Sequence, residues 1–202
     1  MKEFEKKIML NSAEYNLIRK LGFGFGAVQT QTNYYYDTDD FKYNEENTTL
    51  RIREKNGEYE ATIKKHYEEP ENYSTEETVS CRDENDAELF RDYGVKLQGE
   101  MVTERCVSEP KPGVKIVLDH NRYLGGHDFE MEIEYDEGME GEAYFYIESF
   151  AVCLLHYGLI QCVTDFNSRG MNPMSKSQRF FWRLNQELET SSGLKLDEDH
   201  DI

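Results

Sequence analysis

The sequence is poor in basic residues, in proline and in long apolar runs. Of its 202 residues, 41 are Asp or Glu against 23 Lys or Arg, a formal charge of −18. Taken as a whole, that charge repels duplex nucleic acid and an anionic membrane surface, so any polyanion it binds must meet basic residues gathered in one place. No apolar stretch approaches the roughly 20 residues of a membrane-spanning helix, and no apolar segment near the start reads as a secretory signal. The four cysteines, Cys81, Cys106, Cys153 and Cys162, form no CxxC pair and join no His/Cys cluster. Zinc ligation is thereby disfavoured, and reduced thiols in a cytoplasm are the expected state. With four prolines and 13% aromatic residues, the bulk of the chain reads as folded. We expect one domain over residues 1–190 and a flexible acidic tail over 191–202.

What is abundant is alternation. Residues 2–10 place Glu3, Glu5 and Lys7 on one side and Phe4 and Ile8 on the other, the period of a strand. Ser12 then offers a helix N-cap, with Tyr15, Leu17, Ile18 and Leu21 at helical spacing up to Gly22. Strands follow at 29–38 and 49–55. Asn56-Gly57 leads at once into another alternating run, 58–65, and this dipeptide between two such runs predicts a hairpin. Further strands are expected at 73–81, 102–107, 114–119 and 129–135, with a turn at 110–113. Helices are expected at 86–93, 141–157 and 175–188. Many strands with few helices between them indicate an α+β chain, mainly antiparallel β.

One face of these strands is apolar or aromatic; the other carries both signs of charge: Glu3, Glu5 and Lys7; Arg51 and Arg53; Glu58, Glu60 and Lys64; Lys115 and Asp119; Glu130, Glu132 and Glu134. An open sheet would show that face to water, whereas a closed barrel would turn it inward, and the pattern alone allows both. Glu3/Glu5 and Glu130/Glu132 are i, i+2 pairs whose carboxylates project to one side, a spacing that suits Mg²⁺ or Mn²⁺ shared with substrate phosphates, yet each pair is also ordinary for a solvated strand. Arg51 and Arg53, with Lys64 across the hairpin, present donors to phosphate oxygens or, on the plainer reading, pair with Glu58 and Glu60. Gly22-Phe23-Gly24-Phe25-Gly26 lacks the GK[ST] of a phosphate loop and reads as a connection. Asp119 reads as the cap of a turn, with a role at the barrel mouth as the lesser reading, and Tyr34-Tyr35-Tyr36 as barrel wall ahead of a base-stacking platform.

In order along the chain, Glu3-Phe4-Glu5-Lys6-Lys7, Gln31 to Thr38, Leu50-Arg51-Ile52-Arg53, Thr62-Ile63-Lys64, Thr103-Glu104-Arg105, Val117-Leu118-Asp119 and Phe129 to Glu134 resemble the motifs of the CYTH family, the triphosphate tunnel metalloenzymes. Each motif is loose; the set spans about residues 1–180. The resemblance implies a closed eight-stranded, tunnel-like β-barrel with flanking helices and a dependence on divalent metal. It implies Glu3, Glu5, Glu130 and Glu132 at the metal, with Glu134 as a substitute. Lys7, Arg51, Arg53, Lys64, Arg105 and Lys115 would meet the phosphates, Lys176 and Arg179 would close one end, and Lys64 is the candidate general base. The implied activity is hydrolysis of inorganic triphosphate or of an organic triphosphate such as thiamine triphosphate or a nucleoside triphosphate, by a monomer or homodimer. A class IV-type adenylate cyclase and a non-catalytic polyphosphate or nucleotide sensor are the alternatives.

Overall fold

The computed structural model describes residues 2–67, 73–86, 88–170 and 173–191, without the side chains of Lys2 and Glu3. The expected tail at 191–202 lies outside these residues except for Ser191, which ends a helix. Eight strands form one closed antiparallel barrel: β1 (Lys2–Leu10), β2 (Gln29–Asp37), β3 (Thr48–Lys55), β4 (Glu58–Tyr67), β5 (Tyr73–Cys81), β6 (Lys96–Lys111), β7 (Val114–Tyr123) and β8 (Gly126–Tyr135). Their order around the barrel is β1-β5-β4-β3-β2-β6-β7-β8. Closure runs through a long β1–β8 ladder, with Glu5 opposite Glu134 and Lys7 opposite Glu132, and a short β1–β5 seam, with Lys2 opposite Thr75 and Glu3 opposite Ser74.

This barrel carries its apolar face outward. Ile8, Leu10, Val114, Ile116, Leu118, Met131 and Ile133 point away from the lumen and form the largest core with Tyr15 and Ile18 of α1 (Ser12–Lys20), with Ala143, Ile147, Phe150, Ala151 and Leu154 of α3 (Glu140–His156), and with Phe166 of α4 (Val163–Ser168). Burying a Leu, Ile or Phe in this way contributes about 1.5–3 kcal/mol each, which is why a barrel with a charged interior needs helices on its outside. A second core covers β3 and β4, where Leu50, Ile52, Ala61 and Ile63 meet Tyr36 and Phe90; Phe90 lies in a 3₁₀ helix, Glu88–Tyr93, where a longer α-helix was expected. The short α2 (Lys42–Glu45) was not expected from sequence. The last helix, α5 (Lys176–Ser191), lies against one barrel end. There the Phe180 ring sits 4.9 Å from that of Tyr35 and so close to Gly99 that an added Cβ would lie 2.8 Å from it.

Local chemistry explains the connections. Asn56 and Gly57 both have positive φ, as a two-residue hairpin requires. The N-cap of α1 is Asn11, one residue before the expected Ser12: its side chain accepts the Glu14 N–H, and the Glu14 carboxylate accepts the Asn11 N–H, a reciprocal box worth about 1 kcal/mol. β6 and β7 run well beyond the expected 102–107 and 114–119, because Pro112 and Gly113 alone make the turn between Lys111 and Val114. Among the described residues no helix is long and apolar enough to cross a membrane.

Candidate functional site

Alternation along the strands turns their charged positions into the lumen, where β7 and β8 build an acidic wall. Asp119 stands opposite Glu130, and with Glu132 these are three buried residues offering carboxylate oxygens within 4.8 Å of one another. Each is held by cations. Arg105 on β6 donates from Nε and one terminal nitrogen to Asp119, at 2.8 and 2.6 Å, and at 3.0 Å to Glu132. The Lys176 ammonium, at the start of α5, reaches Asp119 at 2.9 Å, Glu132 at 2.8 Å and also Glu130. Arg179, one turn on, pairs with Asp128 and Glu130. Lys7 lies 3.1 Å from Glu132, 3.6 Å from Glu5 and 3.8 Å from Glu130. Burial would raise the Glu130 and Glu132 carboxyls, but Lys176 and Lys7, joined by Arg179 at Glu130 and Arg105 at Glu132, outweigh it and hold both below the usual carboxylate range. Glu134, burdened by burial and by Glu132, is raised in spite of Lys115 at 2.6 Å.

Across the lumen, β2 and β3 behave differently. Arg51 and Lys64 share one carboxylate, Glu76 on β5, at 3.5 and 3.2 Å. Arg53 is half-buried, and its contact is a bond from Nε to the Asn33 side-chain oxygen at 3.0 Å; it forms no ion pair among the described residues, with Glu76 acting on it only at longer range. Burial, then Arg51 and Arg105, push the Arg53 guanidinium down to about 9, so it remains charged at neutral pH and costly to hold there. Three further buried nitrogens on this wall find no acceptor among the described residues: Arg51 Nε, Asn33 Nδ2 and Gln31 Nε2.

The two walls enclose a cavity of about 150 Å³ lined by Glu5, Lys7, Arg51, Arg53, Lys64, Glu76, Arg105, Lys115, Glu132, Glu134 and Lys176. At the barrel end beside the Asn56 turn lies a wider cavity of about 440 Å³ bounded by Gln31, Arg53, Lys55, Glu58, Glu60, Arg105 and Lys115. Thus Glu5, Lys7, Arg51, Arg53, Lys64, Arg105, Lys115, Glu132, Glu134 and Lys176 meet around one space. Glu130 and Arg179 lie behind it, and the side chain of Glu3 is outside the described residues. Pairing of Arg51 and Arg53 with Glu58 and Glu60 is not what the structure shows: both arginines turn inward, toward Glu76 and Asn33.

Asp119, read from sequence as a turn cap, is instead mid-strand and completely buried against Arg105 and Lys176. The alternation Lys115, Val117, Asp119, Asn121 was the available signal. Glu76, Gln31 and Asn33 were also missed. Tyr35 alone of the three consecutive tyrosines faces the lumen; Tyr34 and Tyr36 pack outside.

The sequence model of the CYTH domain matches residues 1–151. YjbK of Bacillus subtilis (strain 168), provisionally named a triphosphatase, is 35% identical over 161 residues, which is 71% of this chain and 82% of YjbK. Among solved structures, a Bacillus halodurans protein provisionally described as an adenylate cyclase matches with a TM-score of 0.65 at 26% identity, over 89% of this chain and 98% of its own. HpAC1 from Hippeastrum, described as a cyclase with a dominant triphosphatase activity, matches in fold with a TM-score of 0.57 at 18% identity, over 98% of this chain and 100% of that one.

Proposed function

The chain belongs to the CYTH domain family, and on that premise we infer that it is a divalent-metal-dependent hydrolase of inorganic or organic triphosphates, acting in a cytoplasm on substrate held in the barrel lumen. The observation that carries this reading is the division of the lumen: carboxylates gathered on one wall, and on the other a half-buried guanidinium, Arg53, that forms no ion pair among the described residues. A linear polyanion accompanied by a cation is complementary to both.

Asp119, Glu130 and Glu132 fit a hard divalent ion: their donors are all oxygens, they lie close enough to share one ion, and a cation, the Lys176 ammonium, already stands among them. Glu5 and Glu134, directly opposite each other on β1 and β8, extend the set, and Glu3 remains a candidate by its motif. Mg²⁺ or Mn²⁺ held there supplies charge neutralisation at the phosphates. The chain's own groups do the rest. Arg51, Arg53 and Lys64 bind non-bridging oxygens from one side; Lys7, Arg105 and Lys115 approach from the other; Lys176 and Arg179 of α5 close the end. A water molecule attacks the terminal phosphorus and gives its proton to Lys64, whose ammonium, ion-paired with Glu76 at 3.2 Å, must first pass one of its own protons to that carboxylate. The anhydride P–O bond breaks, and the departing oxygen keeps the electron pair beside the arginines. Positioning and charge neutralisation supply most of such a rate enhancement.

The wider mouth is bounded by charged and amide residues with Val107 and no aromatic ring, so it offers no stacking surface for adenine, which favours triphosphate hydrolysis over a cyclase. Release of phosphate from tripolyphosphate, thiamine triphosphate and ATP with Mg²⁺ or Mn²⁺, run beside an assay for cyclic AMP, tests the reading. Metal-dependent phosphate release without cyclic AMP is expected; cyclic AMP as the main product, or binding without turnover of any of the three, would overturn it.

A further inference from the structure

Two uncharged side chains on β2 are left in a condition that buried amides rarely tolerate. Asn33 is 1% and Gln31 3% exposed, and the amide nitrogen of each is buried without a hydrogen-bond acceptor among the described residues, although the great majority of buried polar groups in folded proteins are paired. The orientation of Asn33 is not arbitrary. Arg53 has only donors to offer, and its Nε donates to the Asn33 oxygen at 3.0 Å, so the other end of that amide has to be the free NH₂. Gln31, Asn33 and Tyr35 alternate along one face of β2; Gln31 lines the mouth cavity and Tyr35 the inner one, which places Asn33 between the two. Asn33 faces Arg53 across the β2–β3 ladder, and Gln31 faces Lys55.

The unmet donors here are therefore Asn33 Nδ2, Gln31 Nε2 and Arg51 Nε, beside an Arg53 guanidinium that forms no ion pair among the described residues. A water molecule accepts at most two of these N–H groups and must then place its own protons among cations, whereas a phosphoryl oxygen only accepts. More positive charge would be a poor way to strengthen this wall, because Arg51 and Arg105 already depress Arg53 by repulsion. Neutral amides add donors without adding to it.

We propose that Asn33 and Gln31 form an uncharged donor subsite that binds the non-bridging oxygens of the phosphate lying nearest the β3–β4 mouth, with Arg53 as its charged member. The inference rests on the triphosphate reading of the lumen and adds to it two binding residues that carry no charge. Its test is titration calorimetry of tripolyphosphate in EDTA over a range of salt. Gln31→Leu and Asn33→Ala each delete a donor without changing charge, so each is expected to raise Kd roughly tenfold or more while leaving the dependence of Kd on salt as in wild type. Asn33→Asp keeps the acceptor for Arg53 and the side-chain volume; it is expected to melt no lower than wild type and yet to bind at least as weakly as Asn33→Ala. Wild-type affinity in both Gln31→Leu and Asn33→Asp would overturn the subsite while leaving the triphosphate reading intact. Failure of the wild-type protein itself to bind tripolyphosphate both in EDTA and with Mg²⁺ or Mn²⁺ would overturn the reading and the subsite together.

Discussion

Along β7 and β8 each buried carboxylate is matched by at least two cations, Asp119 by Arg105 and Lys176, Glu130 by Lys176 and Arg179, Glu132 by Lys7, Arg105 and Lys176. Along β2 and β3, in the same barrel, buried amide and guanidinium nitrogens lack acceptors and Arg53 forms no ion pair among the described residues. The first wall is paired within the protein and ties the barrel to α5. The second is left with unpaired donors among the described residues. Buried unpaired donors cost about 1–3 kcal/mol each, so several of them in one place weigh against stability there.

The contrast predicts opposite outcomes for changes on the two walls. The largest effect is expected on the acidic side, where Glu130→Ala leaves Lys176 and Arg179 short of a partner at a completely buried position. Urea denaturation of this variant should show a loss of about 3–5 kcal/mol; a loss below about 1 kcal/mol would mean that the network is not integral to the fold. Next comes Lys176→Met, which removes the ammonium from among three carboxylates. Its melting temperature should fall in EDTA and recover with Mg²⁺ or Mn²⁺ by more than that of wild type, since an ion bound only by the folded state adds to its stability. Equal responses of the two proteins to metal would separate the carboxylate cluster from the metal.

Protonation attacks the same wall more gently. Glu130 and Glu132 titrate below their unfolded values because their cationic neighbours outweigh burial. Between the unfolded and folded values the unfolded chain binds the protons and the folded chain does not, so this stabilisation is present in full above the unfolded value of about 4.3 and drains away as pH falls through the depressed ones. Melting temperature followed downward from about pH 6 should hold until about pH 5 and then drop; a drop already complete by pH 5 would contradict the depressed carboxyls. The smallest effect belongs to Lys115, which is 36% exposed in its side chain and pairs with Glu134 at the rim. Lys115→Ala should weaken tripolyphosphate binding only a few-fold, in keeping with the roughly 1 kcal/mol ceiling of exposed pairs.

Much of this was legible in the sequence, and the limits of that reading are physical. Period-two alternation and β-forming composition together pointed to all eight strands, and the Asn56-Gly57 dipeptide gave the β3–β4 hairpin, because these signals are local. Closure was not local. The same alternating charge suits an open sheet, and only the ordered resemblance pointed to a tunnel. Asp119 was misread because its apolar run Val114-Lys115-Ile116-Val117-Leu118 seemed to end there; the polar residues that follow, His120 and Asn121, belong to the same strand, with Asn121 completely buried in the lumen. Lys176 and Arg179 look like any solvated helix cations until α5 is seen to carry them into the barrel end. Gln31 and Asn33 carry no charge and left no trace in a search for charge; their significance appears only when their missing partners are counted in three dimensions.

The most direct test of the two-wall account is the melting temperature of wild type and Arg53→Met, each measured in EDTA with and without tripolyphosphate. Losing a half-buried charge that forms no ion pair among the described residues and that Arg51 and Arg105 repel should leave the variant at least as stable as wild type when free, and losing the ligand's charged anchor should leave it below wild type when tripolyphosphate is added, so that the order of the two proteins reverses. A variant that melts lower when free, yet gains as much as wild type from the ligand, would show that Arg53 supports the fold and not the phosphate.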